Sequence, residues 1–217
     1  MNKVAVFDLD GTLLDSLADI ALCANTALEI SGLPRHSEEA YKGFVGWGVG
    51  RLVQNMMTPG DYLVHGQRVR ADYEMLYSDL CARGGHPYDG VPEMLRRLQA
   101  AGWRTAVVSN KPHAMTQAVW ISTYGGALDM AVGQRDGAPP KPDPAGVLEV
   151  LREFDARPGD CVYAGDSDVD VQTGKAACLY TVAVTWGFQP KDVLKAQNPD
   201  ALADSLEELE KIILARG

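Results

Sequence analysis

Short apolar runs recur along the chain and alternate with stretches whose apolar residues have helical spacing. Five of these short apolar runs predict strands, and they cover residues 3–7, 105–108, 128–132, 161–164 and 181–184. The helical spacing predicts helices between and after the later strands, and these cover residues 91–101, 144–154, 169–177 and 202–214. Strands that alternate with helices of about ten residues predict a Rossmann-like parallel sheet covered by helices, an α/β fold.

The segment between the first two predicted strands has no strand pattern. Most of it has helical spacing, which predicts helices over residues 17–30, 51–57 and 67–83. A structureless loop of this length is implausible in a compact domain. We therefore expect a helical cap domain at residues 15–85, inserted after the first strand into an α/β core formed by residues 1–14 and 86–217.

Polar residues that suit phosphate and metal chemistry follow the ends of predicted strands. In chain order these groups are residues 8–12, 109–111, 141–144 and 165–170. Ligands of open α/β sheets bind outside the carboxyl ends of the strands, so we expect the four groups to share one site. Asp8 and Asp10 lie two residues apart, which puts their carboxylates on one side of an extended backbone. A divalent cation or a held proton would relieve their mutual repulsion.

Gathered at one edge of a sheet, these groups could transfer a phosphoryl group. Clustered Asp oxygens are hard ligands that suit Mg²⁺, and a carboxylate not consumed by the metal can attack phosphorus. Ser109, Lys141 and backbone N–H groups can neutralise the charge of the transferring phosphoryl oxygens.

The motifs resemble those of the haloacid dehalogenase superfamily hydrolases, and they occur in that family's order along nearly the whole chain. Residues 7–13 match the first motif, residues 109–110 the second, residues 141–142 the third and residues 165–170 the fourth. The resemblance implies that Asp8 is the nucleophile that forms an aspartyl-phosphate, and that Asp10 is the general acid and then the base. Asp10 also separates phosphatases from dehalogenases of similar fold, which lack an Asp at this position.

The resemblance also implies a Mg²⁺ cofactor and a set of residues that bind the phosphate. The expected metal ligands are Asp8, the backbone carbonyl of Asp10, Asp166 and, directly or through water, Asp170. The expected phosphate-binding residues are Ser109, Asn110, Lys141 and Thr12, although Thr12 could simply steady the first loop.

The predicted cap narrows the resemblance to the phosphoglycolate phosphatase-like branch of the superfamily. The cap loop of that branch selects the substrate, so Trp47 and Arg51 are candidate specificity residues, and Arg51 is a candidate contact for a second anionic group. The other interpretation is that residues 46–50 form a flexible turn and that Arg51 is a solvated helix residue.

The expected function is therefore Mg²⁺-dependent hydrolysis of a small phosphorylated metabolite that is similar to phosphoglycolate. A pyrophosphatase and a β-phosphoglucomutase-type phosphotransferase of the same superfamily are alternatives. The mutase type carries a His near the position of Ile20, which is apolar here. A noncatalytic binding module is the alternative from another class, and the full set of polar motif residues argues against it.

Two further residues, Lys111 and Asp168, each have two possible roles. Lys111 either assists phosphate binding or lies on the surface, and Asp168 is either a charge at a helix start or a metal ligand.

The net charge and the cysteines indicate which partners and which cellular compartment to expect. The 217 residues carry a net charge of −9, which argues against nucleic acid or an anionic membrane as the main partner. Four scattered cysteines, with no basic-then-apolar N-terminus, predict a cytoplasmic protein. The oligomeric state is not predicted.

Overall fold

The computed structural model describes residues 2–216 and contains a parallel sheet of six strands. Residues 1 and 217, the outer limits of the predicted core, lie outside the described residues. The strands are β1 (Lys3–Phe7), β2 (Trp103–Pro112), β3 (Met130–Gln134), β4 (Cys161–Gly165), β5 (Tyr180–Val184) and β6 (Ala201–Ala203). Their spatial order is β3-β2-β1-β4-β5-β6, and every pairing is parallel.

Within residues 2–216, ten α-helices connect or cover these strands. They are α1 (Leu17–Ile30), α2 (Glu38–Tyr41), α3 (Val49–Asn55), α4 (Pro59–Ala82), α5 (Val91–Ala100), α6 (His113–Val119), α7 (Ala145–Glu153), α8 (Asp168–Ala176), α9 (Lys191–Ala196) and α10 (Leu206–Leu214). A π-helical turn (Trp120–Tyr124) and a 3-10 turn (Gly125–Ala127) follow α6, and a second 3-10 turn (Pro158–Asp160) precedes β4. The predicted α/β fold is confirmed.

Successive residues of β1 point to opposite faces of the sheet, as a strand requires. Ala5 and Phe7 belong to the larger apolar core, together with residues of α1, α4, α5 and α10. Val4 and Val6 belong to a second core with Val147 and its neighbours on α7. Helices therefore cover the sheet on both sides, which explains why residues 4–7 of β1 are apolar on both faces.

Helices α1 to α4 follow one another between β1 and β2, with no strand between them in the described part of the chain. We call residues 15–85 the insert. Helix α4 is longer than the predicted 67–83, because Thr58 caps it and Pro59 occupies its first turn. Whether the insert is a separate cap domain with these boundaries stays a prediction.

The end of the chain differs from the expectation. The segment predicted as one helix over 202–214 contains the edge strand β6, and α10 begins only at Leu206. Strand β6 has three residues and, among the described strands, pairs with β5 alone. A periodic pattern cannot be read from so few positions.

The order of the strands places β1 at the point where the connections change direction. Strand β1 pairs with β2 on one side and with β4 on the other. The carboxyl ends of these strands border a crevice, which is where open α/β sheets bind ligands.

Candidate active site

Three of the predicted motifs meet at the carboxyl ends of β1, β2 and β4. Asp8 follows β1, Ser109 lies in the last part of β2 and Asp166 follows β4. Lys141 reaches the same point from the loop between β3 and α7, where its ammonium lies 2.7 Å from a carboxylate oxygen of Asp8. The sequence motifs therefore form one cluster although the first motif lies about a hundred residues or more before the others.

The Lys141 ammonium is the hub of this cluster. It lies 2.7 Å from Asp8 Oδ1 and 2.7 Å from Asp170 Oδ1, and it donates to the Tyr163 hydroxyl at 3.2 Å. Burial opposes the positive charge, but Asp170 and Asp8 outweigh this effect, so the pKa of Lys141 lies well above its usual value. The lysine is charged and holds two carboxylates in place.

Helix α8 fixes Asp170 at its first turn. Ser167 caps the helix by accepting from the Asp170 amide, and Asp170 Oδ2 accepts from the Ser167 amide at 3.1 Å and from its hydroxyl at 2.5 Å. Asp170 Oδ1 accepts from Tyr163 at 2.9 Å in addition to Lys141. Both carboxylate oxygens of this buried residue already have protein partners, so Asp170 is a rigid part of the site.

Asp166 is held from two sides. The Thr12 hydroxyl donates to Oδ1 at 3.0 Å, and the Phe188 amide donates to Oδ2 at 2.7 Å. A Cβ atom on Gly11 would come within 2.3 Å of Asp166 Oδ2, and one on Gly187 within 2.3 Å of its Cβ. Only glycine fits at these two positions, and the backbone can therefore close around the carboxylate.

The carboxylates of Asp8, Asp166 and Asp170 form a compact, buried acidic group. Each offers an oxygen within 4.8 Å of the others. Burial, together with the neighbouring Asp170, raises the pKa of Asp8 to about 7, despite the opposing effect of Lys141. Burial, Asp170 and Asp8 likewise raise the pKa of Asp166 well above its usual value. Lys141 offsets part of the repulsion between these carboxylates, and the oxygens that Asp8 and Asp166 offer fit a small hard cation such as Mg²⁺.

Asp10 lies beside the acidic group but has a different partner. Its Oδ1 lies 2.5 Å from the Lys111 ammonium, which also donates to the Tyr77 hydroxyl at 2.8 Å. The Lys111 side chain is only 2% exposed, so a surface position for this lysine is wrong. Burial disfavours its charge but Asp10 outweighs this effect, and the pKa of Lys111 is raised.

Asn110 connects the helical insert with the core. Its side-chain amide donates to the backbone carbonyls of Gly46 at 3.0 Å and Lys141 at 3.2 Å, and its carbonyl accepts from the Lys141 amide at 2.8 Å. Ser109 lies next to it, and its hydroxyl accepts from the Lys111 amide at 3.2 Å. The predicted role of both residues in phosphate binding stays a prediction, and Asn110 has an observed role in holding the Lys141 backbone.

A cleft between the insert and the strand ends opens onto these residues. Its empty volume is about 680 Å³ including the open mouth, and Asp8, Asp10, Ser109, Asn110, Lys111, Lys141 and Asp166 line it on the core side. The insert contributes Ile20, Lys42, Gly46, Gly48, Val49, Leu52, Tyr73 and Tyr77, among others. The site is thus enclosed largely by apolar and aromatic side chains, with charges concentrated at its base.

The two candidate specificity residues, Trp47 and Arg51, lie outside the cleft. Trp47 is 44% exposed and lines a neighbouring groove. Arg51 is exposed on α3 and donates to Gln54 at 3.4 Å. Neither lines the cleft in this structure, and their role in specificity stays a prediction.

A comparison with known protein families shows to which family the chain belongs. The model of the haloacid dehalogenase-like hydrolase family matches residues 2–177. The chain belongs to the haloacid dehalogenase-like hydrolases.

Relatives of this hydrolase extend over its full length. A phosphoglycolate phosphatase of Vibrio parahaemolyticus is 33% identical over 223 residues, covering 97% of this chain and 96% of that protein. A phosphoglycolate phosphatase of Nitrosococcus oceani is 31% identical over 220 residues, with coverage of 97% and 96%. The predicted resemblance and the predicted enzyme class, a phosphoric monoester hydrolase, are confirmed.

Solved structures support the same assignment. A crystal structure from Lactobacillus delbrueckii subsp. bulgaricus, provisionally named a phosphoglycolate phosphatase, superposes with a TM-score of 0.88 at 30% identity. The superposition covers 98% of this chain and 99% of that one. In the hydrolase described here, no helix within residues 2–216 is long and apolar enough to cross a membrane.

Several residues of the hydrolase's site were not singled out by the sequence motifs. Tyr77 and the Phe188 amide contact motif residues, and Gln189 exchanges two hydrogen bonds of 2.8 Å with Asp168. Asp168 therefore lies at the start of α8 and is held by Gln189, and the choice between its two predicted roles stays a prediction. Phe188 and Gln189 follow β5, and the strand-end argument could have identified them. Tyr77 lies within α4 and does not follow a strand, so the strand-end argument could not have identified it.

Proposed function

We propose that this hydrolase is a Mg²⁺-dependent phosphatase of a small phosphorylated metabolite, with 2-phosphoglycolate as the substrate we expect. The observation that carries the proposal is the placement of Asp8 at the base of the cleft, between the Lys141 ammonium and the carboxylate of Asp166. An oxygen nucleophile beside a fixed cation and a set of metal ligands is the arrangement that phosphoryl transfer requires. The names of the full-length relatives support the choice of substrate.

Asp8, Asp166 and the backbone carbonyl of Asp10 would hold the metal. When bound, Mg²⁺ supplies positive charge that offsets the repulsion between the acidic group and the phosphate dianion. Both oxygens of Asp170 accept from protein donors, which favours a contribution through Lys141 or through water. Asp10 keeps its carboxylate for proton transfer.

The chain's own groups account for the chemistry. A carboxylate oxygen of Asp8 attacks phosphorus, the bond to the ester oxygen breaks, and Asp10 gives that oxygen a proton. Lys141 and Ser109 stabilise the charge on the transferring phosphoryl oxygens. In the second step, Asp10 takes a proton from a water molecule whose oxygen attacks phosphorus. The bond between phosphorus and the Asp8 oxygen breaks, inorganic phosphate leaves, and the Asp8 carboxylate is restored.

The cleft favours water over a second sugar phosphate as the acceptor. Ile20, near the position where enzymes of the mutase type carry a His, is 4% exposed and lines the cleft. Its side chain can neither donate nor accept a proton, so it cannot activate an acceptor hydroxyl. This supports hydrolysis over phosphotransfer.

Replacement of the proposed nucleophile tests the function. We expect Asp8→Asn to lower kcat on 2-phosphoglycolate by at least about 10³-fold, since the covalent route is lost, while the circular dichroism spectrum stays unchanged. Removal of Mg²⁺ by a chelator should abolish wild-type turnover, and added Mg²⁺ should restore it.

Asp168→Asn is the matched control, because Asp168 is an aspartate at the start of α8, close in sequence to Asp166 and Asp170, but it pairs with Gln189. We expect this variant to keep most of its activity. A comparable loss in both variants, or substantial turnover by Asp8→Asn, would show that Asp8 is not the nucleophile. A panel of phosphorylated metabolites ranked by kcat/KM tests the choice of substrate.

A further inference from the structure

Lys111 is a buried cation beside the proposed general acid. Its ammonium lies 2.5 Å from Asp10 Oδ1 and donates to the Tyr77 hydroxyl at 2.8 Å, and its side chain lines the cleft although it is only 2% exposed. The ammonium also lies 4.7 Å from the centre of the Tyr77 ring. Tyr77 belongs to α4 of the insert, so both sides of the cleft fix the position of this charge.

The two observed partners leave one donor of Lys111 for a ligand. An ammonium group carries three N–H donors, and among residues 2–216 its hydrogen-bond partners are Asp10 and Tyr77. Because water is largely excluded from this position, a third contact with an anion would be stronger there than at the surface.

The position of this donor relative to Asp10 defines the chemistry of the ligand. In the proposed mechanism, Asp10 gives a proton to the ester oxygen of the leaving group. In a phosphorylated 2-hydroxy acid, a single carbon separates this ester oxygen from the carboxylate. A cation in contact with Asp10 therefore lies beside the place where that carboxylate would be.

We propose that Lys111 determines specificity by binding a carboxylate on the carbon that bears the ester oxygen. The inference rests on the proposed function and deepens it, because it assigns the recognition of the second anionic group to Lys111 of the core. Arg51, the candidate from the sequence, is exposed and lies outside the cleft in this structure. Tyr77 acts as a positioning residue that keeps the Lys111 ammonium at the base of the cleft.

Substrates that differ only in this group test the inference. 2-Phosphoglycolamide keeps the shape of 2-phosphoglycolate but is uncharged at the carboxylate position, and ethyl phosphate lacks the group. We expect wild-type kcat/KM to be at least about 30-fold higher for 2-phosphoglycolate than for the amide, as for one charge-assisted hydrogen bond of about 2 kcal/mol. Lys111→Met removes a contact of Asp10 and should lower kcat/KM on all three substrates. The loss on 2-phosphoglycolate should exceed the loss on the amide and on ethyl phosphate by about 30-fold, which removes the preference.

This comparison separates recognition from support of Asp10. A lysine that only positioned Asp10 would affect all alkyl phosphates equally, so an equal loss on the three substrates would overturn the inference. Lys111→Arg keeps the charge and should keep most of the preference even where kcat falls. Equal wild-type rates on 2-phosphoglycolate and its amide would also overturn the inference, and this measurement needs no variant to fold.

A second lysine of the cleft provides the control. Lys42 also lines the cleft, but it is partly exposed and pairs with Glu39 at 2.8 Å. Lys42→Met should retain the preference for the carboxylate, and loss of the preference in both variants would contradict a specific role for Lys111. Hydrolysis of ethyl phosphate that depends on Asp8 tests the proposed function separately, because that substrate has no carboxylate.

Discussion

At the residue scale, the site depends on one buried lysine between two carboxylates. The strand-end pattern and the family resemblance predicted that Asp8, Asp166 and Lys141 would converge, and the structure places them within hydrogen-bond or metal-ligand distance of each other. The partners of Lys111 could not be predicted in the same way. Its burial depends on α4 passing over the end of β2, and local sequence carries no information on that long-range contact.

The Lys141 network predicts a large loss of stability when the cation is removed. Lys141→Met leaves the buried carboxylates of Asp8 and Asp170 without their common partner. We expect a decrease of about 3–5 kcal/mol in the free energy of unfolding, the usual cost of breaking a buried pair. Urea denaturation of the metal-free protein measures this change, and a second replacement, Asp170→Asn, should recover part of the loss.

Lys191 offers the matched control for this measurement. Its ammonium lies 2.6 Å from Asp204, but both side chains are about half exposed, so water replaces the partner when it is lost. Lys191→Met should leave the stability almost unchanged. A similar effect of the two replacements would contradict the view that burial makes the Lys141 contacts important.

At the element scale, elements bounded by a change in the apolar pattern were predicted well, and helix ends that depend on a cap were not. The alternation of apolar runs and helical spacing predicted β1, β4, β5, α5 and α7 within one or two residues. The ends of α4 and α10 depend on which residue caps the helix. A cap is a single hydrogen bond, and apolar periodicity does not report it.

A replacement of Ser205 tests where α10 begins, because the two possible starting points predict opposite changes in the free energy of unfolding. The Ser205 hydroxyl accepts from the Glu208 amide at 3.2 Å and caps a helix that begins at Leu206. We expect Ser205→Ala to lower the free energy of unfolding by about 1 kcal/mol, because a capping hydrogen bond is lost. If the helix began near residue 202, Ser205 would be an interior residue, and alanine would raise the stability slightly.

Ser37 provides a control of the same residue type. It occupies the N-cap position of α2 but makes no capping hydrogen bond through its side chain. Ser37→Ala should therefore change the free energy of unfolding by only a few tenths of a kcal/mol. Thermal unfolding of the two variants under one set of conditions makes the comparison.

At the scale of the whole molecule, the insert and the core meet at the active site itself. The Asn110 side chain contacts the Gly46 carbonyl of the insert and the Lys141 backbone of the core. A Cβ atom on Gly48 would come within 3.2 Å of the Asn110 carbonyl oxygen, so the loop of the insert packs closely against β2. The sequence predicted the insert and the core separately, but their contact depends on three segments that are distant in the chain.

Asn110→Ala should weaken this connection more than it disturbs the rest of the fold. The variant leaves the Lys141 amide and the Gly46 carbonyl without their partner, which costs about 1–3 kcal/mol for each group that stays buried. We expect amide hydrogen exchange to increase in residues 42–49, and kcat to decrease because Lys141 is held less firmly against Asp8. Exchange in β5 and β6, at the other edge of the sheet, should stay as in the wild type.

An increase spread evenly over both regions would show global destabilisation. Unchanged exchange in residues 42–49 would show that Asn110 does not connect the insert with the core.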